Sequence, residues 1–377
     1  MRSTKLILIL LFTVLFSCEE EPLPLEGFKL SMSSTPEEAG KINFTPWHSL
    51  YPKGISVTLT PEPNENWVFQ KWEGDVSGAS SPLELKMDSD KRVIAVFVKK
   101  NYGLDYTIIG EGIVSEKVVE NPSGREYPHG TTVELTPIPK EGWVFESWGE
   151  YGAETNGGYW EYLISNEIPI IALIDAPKTL IVTFVPKPQG EPRFYLAENG
   201  ITCKCENVIA GQKGILNGDE FEAVNNEFLR QRFVEKADMT KLCTSLVTDM
   251  SNLFEFSYFN QPIGNWDVSK VSDMSNMFYG SAFNQPIGAW NVSKVTNMQD
   301  MFAGGLGADG FYEAFFNQAI GEWDVSNVTK MDGMFSKNTD FNQDLSKWCV
   351  AKIPTIPIDF TNSAWTLPKP VWGTCPD

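Results

Sequence analysis

From Val247 onward the apolar positions follow one repeated order. Phe259 to Val268 reads Phe-Asn-Gln-Pro-Ile-Gly-Asn-Trp-Asp-Val, and the phrase returns at Phe283 to Val292 and Phe316 to Val325, then in degenerate form from Phe341 to Trp348. After each of the first three comes Val-x-x-Met-x-x-Met-Phe, at Val271 to Phe278, Val295 to Phe302 and Val328 to Phe335. An earlier partial copy runs from Val247 to Phe254. The tryptophans at 266, 290, 323 and 348 lie 24, 33 and 25 residues apart, the long interval holding an insertion from Ala303 to Phe315. A period of this length indicates stacked units, each burying its apolar side only against its neighbours. The spacing predicts a short strand near Trp266 to Val268, a helical turn through Val271 to Phe278 and a corner at Phe-Asn-Gln-Pro. The tryptophans and the Met pairs 274/277, 298/301 and 331/334 should form core ladders. The Asn-Gln pairs at 260–261, 284–285, 317–318 and 342–343 should form a hydrogen-bonded ladder that satisfies backbone groups at the corners.

A second pattern fills the front half. Val57 to Trp72 aligns without a gap on Val133 to Trp148, sharing Val-x-Leu-Thr-Pro-x-Pro and Trp-Val-Phe-x-x-Trp. Alternating apolar positions bounded by Pro and Gly predict short antiparallel strands, with Pro-x-Pro at a turn. Both copies end in a β-rich run, Arg92 to Val98 and Leu180 to Val185. The second carries 11 extra residues, placed within Tyr151 to Tyr162. The paired tryptophans read as core packing in preference to a sugar-stacking platform. Between the halves, Val185 to Pro192 is a stiff linker. Phe194 to Ala210 reads as strand and turn, Gly211 to Asp219 as a hairpin turning at Asn217-Gly218, and Asn226 to Lys236 as a short amphipathic helix. Together they would cap the repeat.

The chain's start alters the setting. Met1 to Lys5 is a short basic region and Leu6 to Phe16 an apolar run, too short to span a membrane but suited to a secretory signal. Leu15-Phe16-Ser17-Cys18 resembles a bacterial lipobox, which implies lipidation of Cys18; Glu19 to Glu21 resembles the signal sending some Gram-negative lipoproteins to the outer face of the outer membrane. The formal net charge of −19 becomes −21 without Arg2 and Lys5. Such a chain is repelled by nucleic acid and anionic headgroups, so the expected membrane tie is the lipid alone. In an oxidising compartment the five remaining cysteines should form bridges. Cys349 with Cys375 would close one end of the repeat, and Cys205 (or Cys203) with Cys243 the other. Half a metal site at Cys203-x-Cys205 is disfavoured, because no histidine or second close pair accompanies it.

Two families are carried by these residues. The front units resemble the divergent internalin-B-type bacterial repeat, with its Gly-Thr-x-Val-x-Leu-Thr…Pro…Gly-Trp-x-Phe-x-x-Trp pattern. The second copy fits closely, whereas the first has Gly54-Ile55-Ser56 and Asn66 at the diagnostic places. This resemblance implies a surface spacer or stalk without enzyme activity. Residues 200 to 375, including the ending Trp365…Pro370-Val371-Trp372-Gly373-Thr374-Cys375, resemble BspA-type leucine-rich-repeat surface proteins. That resemblance implies a leucine-rich-repeat-like β/α superhelix and, for some members, adhesion to host or matrix proteins.

The expected fold class is α+β multidomain. A lipoprotein signal (1–18) and tether (19–27) precede two β modules (28–100 and 101–186), a linker (187–193) and a β/α solenoid with its caps (194–377). His48 and His129 enter no nucleophile or metal spacing, and neither a Gly-x-Ser-x-Gly elbow nor a phosphate-cradling loop is present, so a non-enzymatic protein without cofactor is expected. Gly304 to Tyr312 holds one copy of a calcium-binding nonapeptide, but a lone copy lacks a neighbour to complete the coordination and reads as a flexible loop. Its aromatics fall where repeat scaffolds place binding residues. Phe311 and Tyr312 are therefore candidate partner contacts; Phe315 adjoins them, and Phe316 belongs to the repeat core. The expected function is adhesion through a protein or glycan ligand at the cell surface. The alternatives are a polysaccharide-capture lipoprotein and a periplasmic scaffold.

Overall fold

A computed structural model describes residues 27–118, 126–153, 159–307, 310–312, 314–361 and 364–376. The chain divides into two compact units, Met1–Tyr102 and Gly103–Asp377.

The first unit is a module of two three-stranded sheets. Its strands are β1 (Leu30–Thr35), β2 (Gly40–Thr45), β3 (Ser56–Pro63), β4 (Trp67–Gly74), β5 (Leu83–Lys86) and β6 (Lys91–Lys99). The sheets run β1-β6-β4 and β2-β3-β5. Alternation along β3 and β6 sends Val57, Leu59, Val93, Ala95 and Phe97 inward, where they pack with Trp72, Leu85 and Met87. The second unit opens on a module of the same plan. It comprises β7 (Asn101–Ile109), β8 (Gly112–Val118), β9 (Glu126–Pro128), β10 (Thr131–Pro139), β11 (Trp143–Ala153), β12 (Tyr159–Ser165), β13 (Ile170–Ile174) and β14 (Lys178–Pro186). Its sheets run β13-β10-β8 and β12-β11-β14-β7-β9. The sequence pattern predicts antiparallel strands throughout, yet β1 with β6 and β7 with β14 are parallel. Alternation fixes which face is buried, not the direction of the partner.

Trp-x-Phe-x-x-Trp would put its second tryptophan on the wrong face of a regular strand. A β-bulge in each module resolves this, between Phe69 and Lys71 and between Phe145 and Ser147. The extra residue, Gln70 or Glu146, reverses the alternation, so Trp72 and Trp148 join Phe69 and Phe145 on the core side. Both indoles are buried and donate to backbone carbonyls, Trp72 to Ser80 at 2.8 Å and Trp148 to Glu167 at 3.1 Å.

The head begins with a cap: β15 (Arg193–Leu196), β16 (Cys203–Glu206), β17 (Lys213–Leu216), β18 (Asp219–Ala223), the helix α1 (Asn226–Val234) and β19 (Leu242–Cys243). The β17–β18 turn has Asn217 and Gly218 at φ 54° and 90°, the left-handed pair that a two-residue hairpin uses. Asn225 caps α1, its Oδ1 accepting from Phe228 N–H at 3.0 Å. Its Nδ2 donates to the bulge residue Glu146 at 3.3 Å, joining the second module to the head. Gly211 lies at the same junction, where a β-carbon would come within 2.4 Å of Asn166 Nδ2.

The repeats form a stack of coils, not the expected β/α superhelix. Trp266 to Val268 is not a strand, Val271 to Phe278 is not a helix, and α1 is the one α-helix among the described residues. The protein is β-rich with several small sheets, and the α+β class is corrected accordingly. The reason lies in where the peptide N–H groups go. Met274, Asn276, Phe278 and Gly280 donate to Asn297, Gln299, Met301 and Ala303 of the next coil at 2.7–3.0 Å. The alternate groups close local turns, as from Met277 to Met274 O at 3.2 Å. An α-helix would use every N–H within itself, leaving none for the neighbouring coil. The zigzag requires left-handed backbone at Asn252, Asn276, Asp300 and Gly333, with φ of 53–67°, tolerated by Asn, Asp and Gly.

The Trp266, Trp290 and Trp323 rings run parallel at 6.4 and 6.5 Å. Trp290, Trp323 and Trp348 indoles each donate to the preceding coil, to Ile263, Ile287 and Ile320 O at 3.0–3.2 Å. The Met pairs are buried. Each Asn of the corner accepts from the next coil's backbone: Asn260, Asn284 and Asn317 Oδ1 take Asn284, Asn317 and Asn342 N–H at 2.9–3.0 Å. Gly264, Gly288 and Gly321 let coils approach, since a β-carbon there would meet the next carbonyl oxygen at 2.5–2.6 Å.

Gly288→Ala should therefore destabilise the head by about 1–3 kcal/mol, the range for an overpacked site, as read by chemical denaturation. At the junction, burial, and after it Glu227, pushes the Glu146 carboxyl above its ordinary value. A raised folded pKa contributes stability that is complete below the unfolded value and is lost as pH rises through the folded one. Glu146→Gln should raise the thermal midpoint at neutral pH and flatten its increase on mild acidification.

Candidate binding surface

Inward positions of the coils agree from copy to copy, so differences between copies mark the outer surface. One rim carries an aromatic group built from such differences. Phe256 and Tyr279 meet edge to face at 5.1 Å and 78°. Gly305, at the base of the insertion, lies on both rings; a β-carbon there would be 2.6 Å from Tyr279 Cε1 and 2.7 Å from Phe256 Cε1. Within the insertion, Gly305–Gly307 (β20) pairs antiparallel with Gly310–Tyr312 (β21). Phe311 and Tyr312 stand on β21, and their side chains, like Asp309 of the nonapeptide, lie outside the described residues. Tyr258 and Phe315 hold equivalent positions two coils apart, exposed by 87% and 41%, whereas Phe316 is buried in the stack. Phe256 and Tyr279 are half-buried, so Tyr258 and Phe315 are the exposed aromatics of this rim, and large exposed aromatics suit recognition.

Beside this group Glu255 occupies the coil position that Tyr279 holds one coil later. It is half-buried, and burial pushes its carboxyl above the ordinary glutamate value. The sequence reading reached Phe311, Tyr312 and Phe315 but passed over Glu255, Phe256, Tyr258 and Tyr279. The available signal was disagreement between copies: Glu255, Tyr279, Ala303 and Ser336 share one position, and Tyr258, Ala282 and Phe315 another.

A polar groove of about 400 Å³ separates the cap from the first coils, lined by Tyr195, Asn199, Thr202, Lys204, Asp267 and Asn291 among others. Asp267 is buried, accepts from Ser245 Oγ at 2.7 Å and Ser269 N–H at 3.1 Å, and faces Lys204 Nζ at 3.9 Å. Behind it Cys205 is bonded to Cys243, and at the far end Cys349 to Cys375. Loops of 38 and 26 residues closed in this way are worth about 3–4 kcal/mol each on the chain-entropy account. Cys203 remains a thiol with no exposed surface, pushed up to about 12 by burial and then by Asp267. Cys18 lies outside the described residues. His48 packs edge-on against Tyr51, and His129 Nδ1 is 3.1 Å from Asp175 O.

Comparison with known families agrees with this division. Residues 30–101 and 102–186 match the family described as Divergent InlB B-repeat domain. Residues 222–312 and 308–366 match the family described as Mycoplasma protein of unknown function, DUF285. The chain thus carries two divergent InlB B-repeat domains followed by a DUF285 repeat region. No curated protein and no solved structure matches it.

With Cys18 replaced by Ser, Cys203 is the one unpaired cysteine. Iodoacetamide at mildly alkaline pH should leave it unlabelled in the folded chain and alkylate one thiol per chain in denaturant, as counted by mass spectrometry, because the thiolate is the reactive form.

Proposed function

We propose that this is a non-enzymatic, lipid-anchored protein of the bacterial outer surface whose coil head adheres to a protein partner. The observation that carries the reading is the rim: Phe256 and Tyr279 meet edge to face against Gly305 at the base of the insertion, and Tyr258 and Phe315 are exposed at equivalent positions two coils apart. Aromatic side chains supply anchoring area at protein interfaces. The repeat domains support a binding role, since their regular residues are consumed by packing and backbone pairing. The likeness to BspA-type surface proteins and the lipobox-like Leu15-Phe16-Ser17-Cys18 support the surface setting. The acidic balance argues against nucleic acid and for a membrane tie through lipid alone.

Polysaccharide capture is the second reading, and Trp47, exposed by 72%, favours it in the first unit. The tryptophans that recur in the modules and coils give it less support. Trp72, Trp148, Trp266, Trp290, Trp323 and Trp348 are buried, with no face open to a sugar ring, whereas Trp67 and Trp143 are half-buried.

The test uses intact cells carrying the full chain or a version lacking residues 305–312. External protease should shed the head, and adherence to immobilised matrix proteins should fall about tenfold or more with the deletion, a loss typical of a central anchor group. Protection of the head until the outer membrane is opened would leave a periplasmic scaffold. Adherence to immobilised polysaccharide, indifferent to the deletion, would favour sugar capture.

A further inference from the structure

The groove between the cap and the first coils holds two opposite charges set slightly apart. Asp267, on the coil that begins at Phe259, is exposed by only 5%. Its Oδ1 accepts from Ser269 N–H at 3.1 Å, the same turn that Asn291 and Asp324 make with Ser293 and Ser326 N–H at 3.2 and 3.1 Å. Asn291 makes that turn with a neutral side chain, so the coil has no need of a charge at 267. The second oxygen, Oδ2, accepts from Ser245 Oγ at 2.7 Å and faces Lys204 Nζ at 3.9 Å. Lys204 stands on β16 between the inward Cys203 and Cys205 and lines the groove from the cap side. A hydrogen-bonded ion pair closes to about 2.7–2.9 Å, and this one stands wider. An oxygen atom placed between the two groups lies within reach of both, because two hydrogen bonds of about 2.8 Å together exceed the gap.

We propose that this groove binds a sugar residue, one of whose hydroxyls bridges Asp267 and Lys204. A hydroxyl is donor and acceptor on one oxygen, whereas an ionised carboxylate only accepts and an ammonium only donates. The hydroxyl therefore donates to Asp267 Oδ2 and accepts from Lys204 Nζ. Each carboxylate oxygen has two lone pairs, so Oδ2 keeps its bond from Ser245. A free anion in the groove would meet Asp267 and Glu198, and a free cation would meet Lys204. The opposed charges thus favour a neutral ligand rich in hydroxyls. The volume of about 400 Å³ falls within the small-ligand range of about 300–1,000 Å³. Tyr195 adds an aromatic wall, fixed by its hydroxyl bond to Glu206 and by the Arg193 guanidinium 4.4 Å from the ring centroid. Aromatic surface beside a few placed polar groups suits a pyranose, which carries hydroxyls at its rim and C–H groups on its faces. The groove shares no residue with the aromatic rim, and its ligand does not depend on the protein partner proposed there.

The test titrates isotope-labelled Cys18→Ser full chain with the methyl pyranosides of glucose, galactose, mannose and N-acetylglucosamine, followed by NMR to tens of millimolar. At least one glycoside should shift the amides of Lys204, Asp267 and Ser269. Lys204→Met, which keeps the aliphatic stem, should weaken it about tenfold or more, as loss of a hydrogen bond to a charged group does. Asp267→Asn, which keeps an acceptor for the Ser269 turn, should weaken it as much, and Glu220→Gln, an exposed carboxylate of the cap, should leave it unchanged. Among the monodeoxy analogues of that glycoside, the one lacking the bridging hydroxyl should bind as weakly as the parent sugar binds Lys204→Met. Linear oligomers of the same sugar separate the sources: tighter binding assigns an inner unit of a polysaccharide, and equal binding a free or terminal residue. The proposal is overturned if no glycoside shifts these amides, if inorganic phosphate or arginine amide shifts them more than any glycoside does, or if neither variant weakens binding. Unfolding midpoints of Lys204→Met and Asp267→Asn show whether each variant is folded, and the partly exposed Lys204 keeps the test decisive if Asp267→Asn is not. Loss of residues 305–312 should leave the glycoside shifts intact, so failure of the rim reading and failure of the groove are read separately.

Discussion

Every other feature of the head depends on the division of its backbone N–H groups between two directions. One set closes turns within a coil, and the alternate set reaches the carbonyls of the next coil. Because alternate donors from Met274 to Gly280 leave the coil, a single repeat cannot satisfy that segment and gains those hydrogen bonds only in a stack. The same division explains the recurrent asparagine, aspartate and glycine at left-handed positions and the glycines where neighbouring carbonyls approach closely. The methionines and valines fill the space that these coils enclose.

The aromatic side chains obey a matching rule. Phe254, Phe278, Phe302 and Phe335 each stack on a partner in their own coil, Phe259, Phe283, Phe316 and Phe341, at 3.8–4.0 Å. A face-to-face column exposes a ring face at each end. Phe233 of the cap closes one end edge-on to Phe254 and Phe259, at 87° and 86°. Trp365 closes the other, at 74° to Phe335 and 86° to Phe341. Edge-to-face contact is a favourable way to end such a column, and it gives the caps a specific task.

Much of this was legible in the sequence because inward residues repeat. The tryptophan, methionine and Asn-Gln ladders, the two front modules and the hairpin at Asn217-Gly218 all follow from recurrence or turn chemistry. The coil backbone was not legible. Val-x-x-Met-x-x-Met-Phe places apolar residues three and four apart, as a helix does, and the pattern does not reveal that alternate N–H groups are claimed by another coil. The bulges at Gln70 and Glu146 were hidden for a related reason, since an extra residue in a strand shows only as a broken alternation. The rim was obscure because its residues are those in which the copies differ.

The two disulfides acquire a further meaning when tension is considered. A stack held by pairwise contacts frays from its terminal layers, where each layer has one neighbour instead of two. Here the covalent loops Cys205–Cys243 and Cys349–Cys375 enclose those terminal layers. Peeling from either end is blocked by a bond that shear cannot unzip, and unravelling must begin among interior coils gripped on both sides. The head is therefore weakest under load where it is most repetitive, and its two ends act as mechanical stops.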